Sequence, residues 1–256
     1  MKFIKVNDIS IFRKVALSLW GGGGDPSVYG FLEVDVTHLK LLSSPTSLVI
    51  KGLSEVMKNH KELNFVMRFG RLYHRKSINI SVMVNIPEEG RHDLSFATLR
   101  DVDRMSVTEI EEQLSKNAGQ IRRREDPHLG FALRLIHKLP HFFTKSFLRV
   151  FGFLVHDLNL DLSFARLPKD PFGSVIVTNV GSLGIKKALV PLVPLTRAGL
   201  LISIGQVCKE PIVVKDKIEI REIMHLGVTF DHRFFDGAQA AKMIRDFEAF
   251  LKPDKM

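Results

Sequence analysis

The sequence predicts an α+β sandwich of strands and helices, built as a single unit. Three observations carry this reading. Val- and Ile-rich stretches with two-residue alternation are interspersed with stretches whose apolar residues recur every three or four positions, without the strict alternation of a doubly wound sheet. Of 256 residues, 45% are hydrophobic and 25% charged, a balance that buries a sizeable core and excludes a disordered, fibrous or disulfide-stapled chain. No Gly-, Pro- or Ser-rich linker divides the sequence, so residues 1–256 read as one domain.

The elements follow in chain order. Ile9, Phe12, Val15, Ala16 and Leu19 share the stripe of a short helix over Ile9 to Trp20, which Gly21 to Gly24 and Asp25-Pro26 end. Four glycines can cradle a phosphate, but no Lys-Ser or Lys-Thr completes a phosphate loop, so the run reads as a flexible turn. Val28 to Val36 is mostly apolar or β-branched, and Phe31 to Val36 alternates as a half-buried strand does. Ser44-Pro45 opens a helix over Pro45 to His60, with Leu48, Val49, Leu53, Val56 and Met57 on its buried stripe. Ile78 to Ile86 alternates again, and Pro87-Glu88-Glu89-Gly90 makes a turn. Ser106-Val107-Thr108-Glu109 is a capping box that opens a helix towards Arg124. Ser174 to Thr178, Leu200 to Val207, Ile212 to Ile220 and Glu222 to Phe230 read as strands, and Gly237 to Leu251 as a closing helix.

Between about residues 125 and 160 lies a basic amphipathic segment. Leu129, Ala132, Leu133, Ile136, Phe142, Phe143, Phe147, Val150, Phe151 and Leu154 alternate with Arg134, Lys138, Lys145 and Arg149, and Pro140 breaks the helical pattern. Its uncharged run from Val150 to Val155 is far short of the roughly 20 residues that span a bilayer. The segment reads as a helical hairpin packed on its own core or a neighbouring subunit, with a membrane surface or a carrier protein as the alternative contact.

The formal charge of +9 favours an anionic partner such as nucleic acid, a membrane surface or a phosphorylated cofactor. The runs Arg122-Arg123-Arg124 and Lys186-Lys187 lack the interleaved aromatics of nucleic-acid grooves, so no nucleic acid is expected. The single Cys208 excludes an internal disulfide and a cysteine-rich zinc site, so no metal is expected, and it suits a reducing compartment. Polar residues interrupt the first eight before an apolar signal core forms, and the expected location is the cytoplasm.

Chemistry is concentrated in Asp231-His232-Arg233-Phe234-Phe235-Asp236-Gly237, which follows the apolar strand Leu226 to Phe230 and precedes a helix. A histidine leaving a strand into a tight turn is reachable from outside and acts as a general base near neutral pH. Asp236 organises that turn or pairs with a cation, and Gly237 gives the backbone freedom there. His225, His128, His137, His141 and His156 read as structural or surface residues.

This block resembles the His-x-x-x-Asp-Gly signature of the catalytic domain of the dihydrolipoamide acyltransferases of the 2-oxo acid dehydrogenase complexes, whose fold includes chloramphenicol acetyltransferase. Further blocks in the same order strengthen the resemblance: Arg13 to Ala16, Glu33 to Thr37, His60 to Asn64, Arg100 to Val107 and Val177 to Gly184. The resemblance implies a chloramphenicol acetyltransferase-like two-layer sandwich with a mixed β-sheet, assembled as a trimer and in some relatives a larger cage, with active sites between subunits. It implies acyl transfer between coenzyme A and a dihydrolipoamide-like thiol, with coenzyme A as a substrate. His232 then resembles the base that takes the thiol proton, and Asp236 the acidic residue that holds the site, with Arg13 as its ion-pair partner. Thr178 stands where the family usually places a serine that donates to the oxyanion, while Asn179 and Gly181 shape the adjoining loop. The departures from the family are the missing lipoyl domain, so that no lipoyl group is expected on this chain, and the inserted basic segment. They leave a second reading open: a non-catalytic trimeric scaffold that uses the segment to bind a membrane or a partner.

Overall fold

The structure, a computed structural model, describes residues 4–5, 24–39, 43–88, 91–125, 140–160 and 169–252. The expected Ile9 to Trp20 helix with Arg13, the glycines before Gly24 and residues 126–139 of the basic segment lie outside the described residues.

The described strands are β1 (Ile4–Lys5), β2 (Ser27–Asp35), β3 (Phe65–Arg68), β4 (Arg71–His74), β5 (Ile80–Glu88), β6 (Arg91–Leu99), β7 (Val175–Asn179), β8 (Leu200–Ile204), β9 (Cys208–Val214) and β10 (Lys217–Asp231). The helices are α1 (Pro45–Asn59), α2 (Val107–Arg122), α3 (His141–Gly152), which runs on into a π turn over Phe153–Asp157, and α4 (Gly237–Phe250). The main sheet has the order β2-β10-β8-β7-β5-β6, with β9 paired to the first half of β10. Strand β7 is parallel to β5 and β8 and the other pairings are antiparallel, so the sheet is mixed and the fold α+β, as predicted. A second, small sheet has the order β1-β4-β3.

Local chemistry explains where the helices begin. Ser44 caps α1 by accepting from the Ser47 amide at 3.2 Å, and Pro45 occupies the first turn, where its missing N–H is not needed. Ser106 and Glu109 cap α2 reciprocally: Glu109 Oε2 accepts from the Ser106 amide at 2.7 Å while Ser106 Oγ accepts from the Glu109 amide at 3.2 Å.

Three strand expectations are corrected. Ile212 to Ile220 is not one strand but two, because Lys215 and Asp216 both take positive φ, 48° and 62°, and turn the chain between β9 and β10. Pro87 and Glu88 belong to β5 rather than to the turn, opposite His92 and Arg91, which leaves only residues 89 and 90 between the strands. The strand expected to reach Val207 ends at Ile204, where the Gly205 amide donates to the His225 carbonyl at 2.8 Å.

The two-residue period of the strands sorts side chains onto two faces. On β10, Met224, Leu226 and Phe230 join Leu200 and Ile202 of β8 and Val175 and Val177 of β7 in the main core against α1 and α4. Helix α2 closes a neighbouring cluster of Val84, Ile86, Ala97, Ala118 and Ile121 on β5 and β6. The opposite, outer face of the sheet is covered in part by the chain from Lys186 to Leu195. Ser203 Oγ donates to the Ala188 carbonyl at 2.5 Å, and Thr229 Oγ1 to that of Val190 at 2.7 Å. Gly227 makes this approach possible, since a Cβ there would lie 2.0 Å from the Ala188 oxygen. The end of the basic segment also packs on this face, with Phe151 and Val155 against Phe172, Phe96 and Leu195. Tyr29 and Phe31 of β2 stay 43% and 52% exposed there.

Candidate active site

At the end of β10, Asp231 is buried and accepts from the Arg233 amide at 2.9 Å and from Arg233 Nη2 at 2.6 Å. The Phe234 amide donates to the Asp231 carbonyl at 2.9 Å, closing the turn, and the His232 amide donates to Pro26 at 3.0 Å. The far side of the turn is the start of α4. Asp236 is its N-cap, accepting through Oδ1 from the Gln239 amide at 2.9 Å, while Gln239 Oε1 accepts from the Asp236 amide at 3.0 Å. Gly237 is the first helical residue. His232 is therefore held between two aspartate-anchored ends.

The ring itself is oriented by Phe235. His232 Nδ1 lies 3.1 Å from the Phe235 carbonyl oxygen, and a carbonyl only accepts, so Nδ1 is the protonated nitrogen. In the neutral ring the lone pair is then on Nε2, which is the arrangement a general base requires. Phe235 is fixed in turn, 1% exposed and stacked on Phe230 at 4.9 Å, and Phe230 meets the His232 ring edge-on at 6.2 Å. A cleft of about 680 Å³ opens beside the turn, between Arg233 and Phe234 on one side and Phe69, Pro194 and Arg197 on the other.

Thr178, Asn179 and Gly181 are brought together elsewhere. Thr178 is half-buried near the end of β7, on the outer face with Ile176. Asn179 Nδ2 donates to Thr46 Oγ1 of α1 at 3.0 Å, and its Oδ1 accepts from the Ser182 amide at 3.0 Å, which shapes the loop after the strand. Gly181 sits so close to the next strand's exit that a Cβ would lie 2.6 Å from the Gly205 backbone. In register, Thr178 pairs with Ser203 and Ser203 with Gly227, whereas His232 follows the opposite end of β10. Arg13, the expected partner of Asp236, lies outside the described residues.

Sequence reasoning missed two ionic devices. The Asp231–Arg233 pair that locks the turn was readable only as part of a motif. At the Thr178 end of the sheet, His225 is 1% exposed and its Nε2 lies 2.8 Å from Glu210 Oε1. Hydrogen bonds from Lys186 and His225 hold the Glu210 carboxyl down to about 2, and Lys187 lowers Glu33 in the same way through a 2.7 Å contact. The signal for this network is the register that sets His225 opposite Glu33, which no local pattern displays. Among the described residues no group of three or more His, Cys, Asp and Glu is arranged to hold a metal ion.

Comparison with known proteins decides the family. The profile described as 2-oxoacid dehydrogenases acyltransferase (catalytic domain) matches residues 28–128 and 170–256. The chain belongs to this acyltransferase family. Both clusters of the candidate site fall within the matched ranges, and the profile passes over residues 129–169. A curated relative, the dihydrolipoyllysine-residue succinyltransferase component of the 2-oxoglutarate dehydrogenase complex of Haemophilus influenzae, is 23% identical over 206 residues. That match takes in 80% of this chain and 39% of the relative's own length. A probable dihydrolipoamide acetyltransferase from Listeria monocytogenes superposes with a TM-score of 0.65 at 19% identity, over 96% of this chain and 94% of that one. Chloramphenicol acetyltransferase superposes with a TM-score of 0.53 at 13% identity, over 98% of this chain and 100% of that one. The acyltransferase fold expected from the sequence is thus the fold observed.

Proposed function

We propose that this chain transfers an acyl group between a coenzyme A thioester and a dihydrolipoamide-like thiol, with His232 as the base, in a site that two copies of the chain complete. The observation that carries the reading is the 3.1 Å contact between His232 Nδ1 and the Phe235 carbonyl, which leaves Nε2 as the proton acceptor in a chain of the acyltransferase family.

His232 Nε2 takes the proton of the incoming thiol, and the thiolate sulfur attacks the thioester carbonyl carbon. The C–S bond forms as the carbonyl oxygen becomes an oxyanion, to which the Thr178 hydroxyl of a neighbouring copy donates. Collapse of the tetrahedral intermediate breaks the original C–S bond, and the imidazolium returns its proton to the departing sulfur. Thr178 lies on the outer face, where a neighbouring copy can reach it. Exposed apolar side chains support such an assembly: Tyr29 and Phe31 on that face, Leu183 and Ile185 on the loop after Thr178, and Val213, Ile218 and Ile220 on the β9–β10 hairpin. A homotrimer, able to build larger cages, is the assembly this reading expects. The net positive charge suits the phosphates of coenzyme A.

The test is acyl transfer from acyl-coenzyme A to dihydrolipoamide by the wild type and by His232→Ala. Loss of a general base lowers the rate by about 10² to 10⁴. Equal activity of the two proteins overturns the mechanism.

A further inference from the structure

The segment that the family profile passes over carries apolar side chains on both of its faces. Phe151 and Val155 are buried against the sheet, while Phe143, Val150 and Phe153 are 56%, 56% and 43% exposed. On α3, Phe143 and Val150 are seven residues apart and lie on one stripe, which the π turn carries on to Phe153. A contiguous exposed apolar stripe of this kind marks a surface that meets a partner.

The β3–β4 hairpin extends this ridge. Arg68 pairs with Arg71, so the turn between the strands is Phe69-Gly70, with φ of 48° and 70°. Phe69 therefore holds a left-handed backbone that is costly for a bulky side chain, and it presents its ring 59% exposed at the tip. It meets Phe153 edge-on at 6.1 Å. Asp157 fastens the two parts together: its Oδ1 accepts from the Phe69 amide at 2.9 Å, its carboxylate pairs with Arg197 at 2.5 Å, and its carbonyl accepts from Arg68 Nη2 at 2.6 Å. The aromatic ridge is set rigidly on the domain.

Two arginines flank the ridge. Arg71 and Arg149 are exposed beside the ridge. Residues 140–156, which carry Val150 and Phe153, contain no Asp or Glu, and β3, β4 and their turn contain no acidic residue. Asp157, which accepts from the Phe69 amide, is buried and paired with Arg197, and the exposed Asp25 lines the same cleft as Phe69. Exposed Phe and Val rimmed by arginine match the chemistry of an anionic lipid–water interface, where rings enter the acyl boundary and guanidinium groups meet phosphates. Among the described residues no helix is long and apolar enough to cross a membrane, so the contact is one of lying on the surface.

We propose that Phe69, Val150 and Phe153, rimmed by Arg71 and Arg149, dock this domain on an anionic phospholipid surface.

The experiment is co-sedimentation of the full chain with vesicles of phosphatidylglycerol and phosphatidylcholine in about a 3:7 ratio, and with phosphatidylcholine alone. The wild type is expected to sediment with the anionic vesicles only, less so as salt rises. Phe69→Ser with Val150→Ser is expected to weaken binding by about ten-fold or more, as is Arg71→Glu with Arg149→Glu, while Arg149→Lys retains it. The melting temperature and acyl transfer of the charge variant serve as the control for folding, and both are expected to match the wild type. Failure of the wild type to sediment, equal sedimentation of wild type and variants, or equal binding to neutral vesicles overturns the proposal. A change in oligomeric state in the ridge variants, without vesicle binding by the wild type, overturns it in favour of a contact between copies.

Discussion

Thr178 and His232 stand at opposite ends of one sheet. Thr178 pairs with Ser203 and Ser203 with Gly227, whereas Asp231, which precedes His232, closes the other end of β10. With a rise of about 3.4 Å per residue and about 4.8 Å between strands, Thr178 and Asp231 lie on the order of 16 Å apart within a chain. A hydroxyl that stabilises an oxyanion beside the His232 ring must therefore come from another copy. The consequence is complementation. His232→Ala and Thr178→Ala chains, each impaired alone, are expected to recover about a quarter of wild-type activity when refolded together in equal amounts, because random assembly joins an intact His232 to an intact Thr178 at that frequency. Mixed assemblies no more active than the two variants measured separately remove the shared site.

Asp236 has a structural duty that can be separated from charge. Its Oδ1 caps α4, and replacement of such a cap by alanine costs about 1 kcal/mol, so Asp236→Ala is expected to lower the melting temperature by roughly 2–4 °C. Asn is as good a cap, and Asp236→Asn is expected to melt as the wild type does. The resemblance to the family assigns the carboxylate an ion pair with Arg13, which the asparagine cannot form, so kcat is expected to fall in Asp236→Asn although stability is kept. Unchanged kcat in that variant confines Asp236 to capping.

The parts of this fold that are punctuated locally were legible in the sequence. Ser44-Pro45, the Ser106 to Glu109 box and Asp236-Gly237 announce α1, α2 and α4 because a helix start needs an oxygen acceptor within three residues. Strand β6 was not legible, since Phe96 packs on the outer face and its neighbour Ala97 on the α2 side, so apolar residues are adjacent rather than alternating. The turn at Lys215-Asp216 was hidden because neither residue is glycine or asparagine, the usual signal for two successive positive φ values. His232 was legible because the turn that orients it is contiguous in sequence. The His225 network was not, because it joins β2, β9, β10 and the loop at Lys186 and Lys187, which only the strand register brings together.

Just past the stretch that the family profile passes over lies a buried ion pair. Arg75 Nε lies 2.9 Å from Asp170 Oδ2, with the two side chains 0% and 1% exposed, and Arg75 also donates to the Phe65 carbonyl. Truncation of one partner leaves the other charge uncompensated in the interior, which costs about 3–5 kcal/mol. Asp170→Ala is expected to show that loss in denaturant unfolding, whereas an exposed pair such as Arg123–Glu125 is expected to contribute at most about 1 kcal/mol. A loss below about 1 kcal/mol in Asp170→Ala means that water reaches Arg75.

His156 is expected to make the packing of the basic segment sensitive to acid. The ring is 2% exposed, and its Nε2 donates to the Leu195 carbonyl at 2.8 Å. Burial, reinforced by the nearby Arg197 and Arg75 and opposed by Asp170, lowers its titration from 6.5 to about 4. Between those values the unfolded chain binds the proton and the folded one does not, so acidification favours unfolding: the stability present above pH 6.5 is lost as the pH falls towards 4. The full loss is on the order of 3 kcal/mol. His156→Gln keeps a donor for Leu195 and has no titrating ring, so the gap in unfolding free energy between wild type and variant is expected to shift in the variant's favour by that amount as the pH is lowered through this window. Parallel stability profiles for the two proteins would show that His156 takes up its proton in the folded state as readily as in the unfolded one.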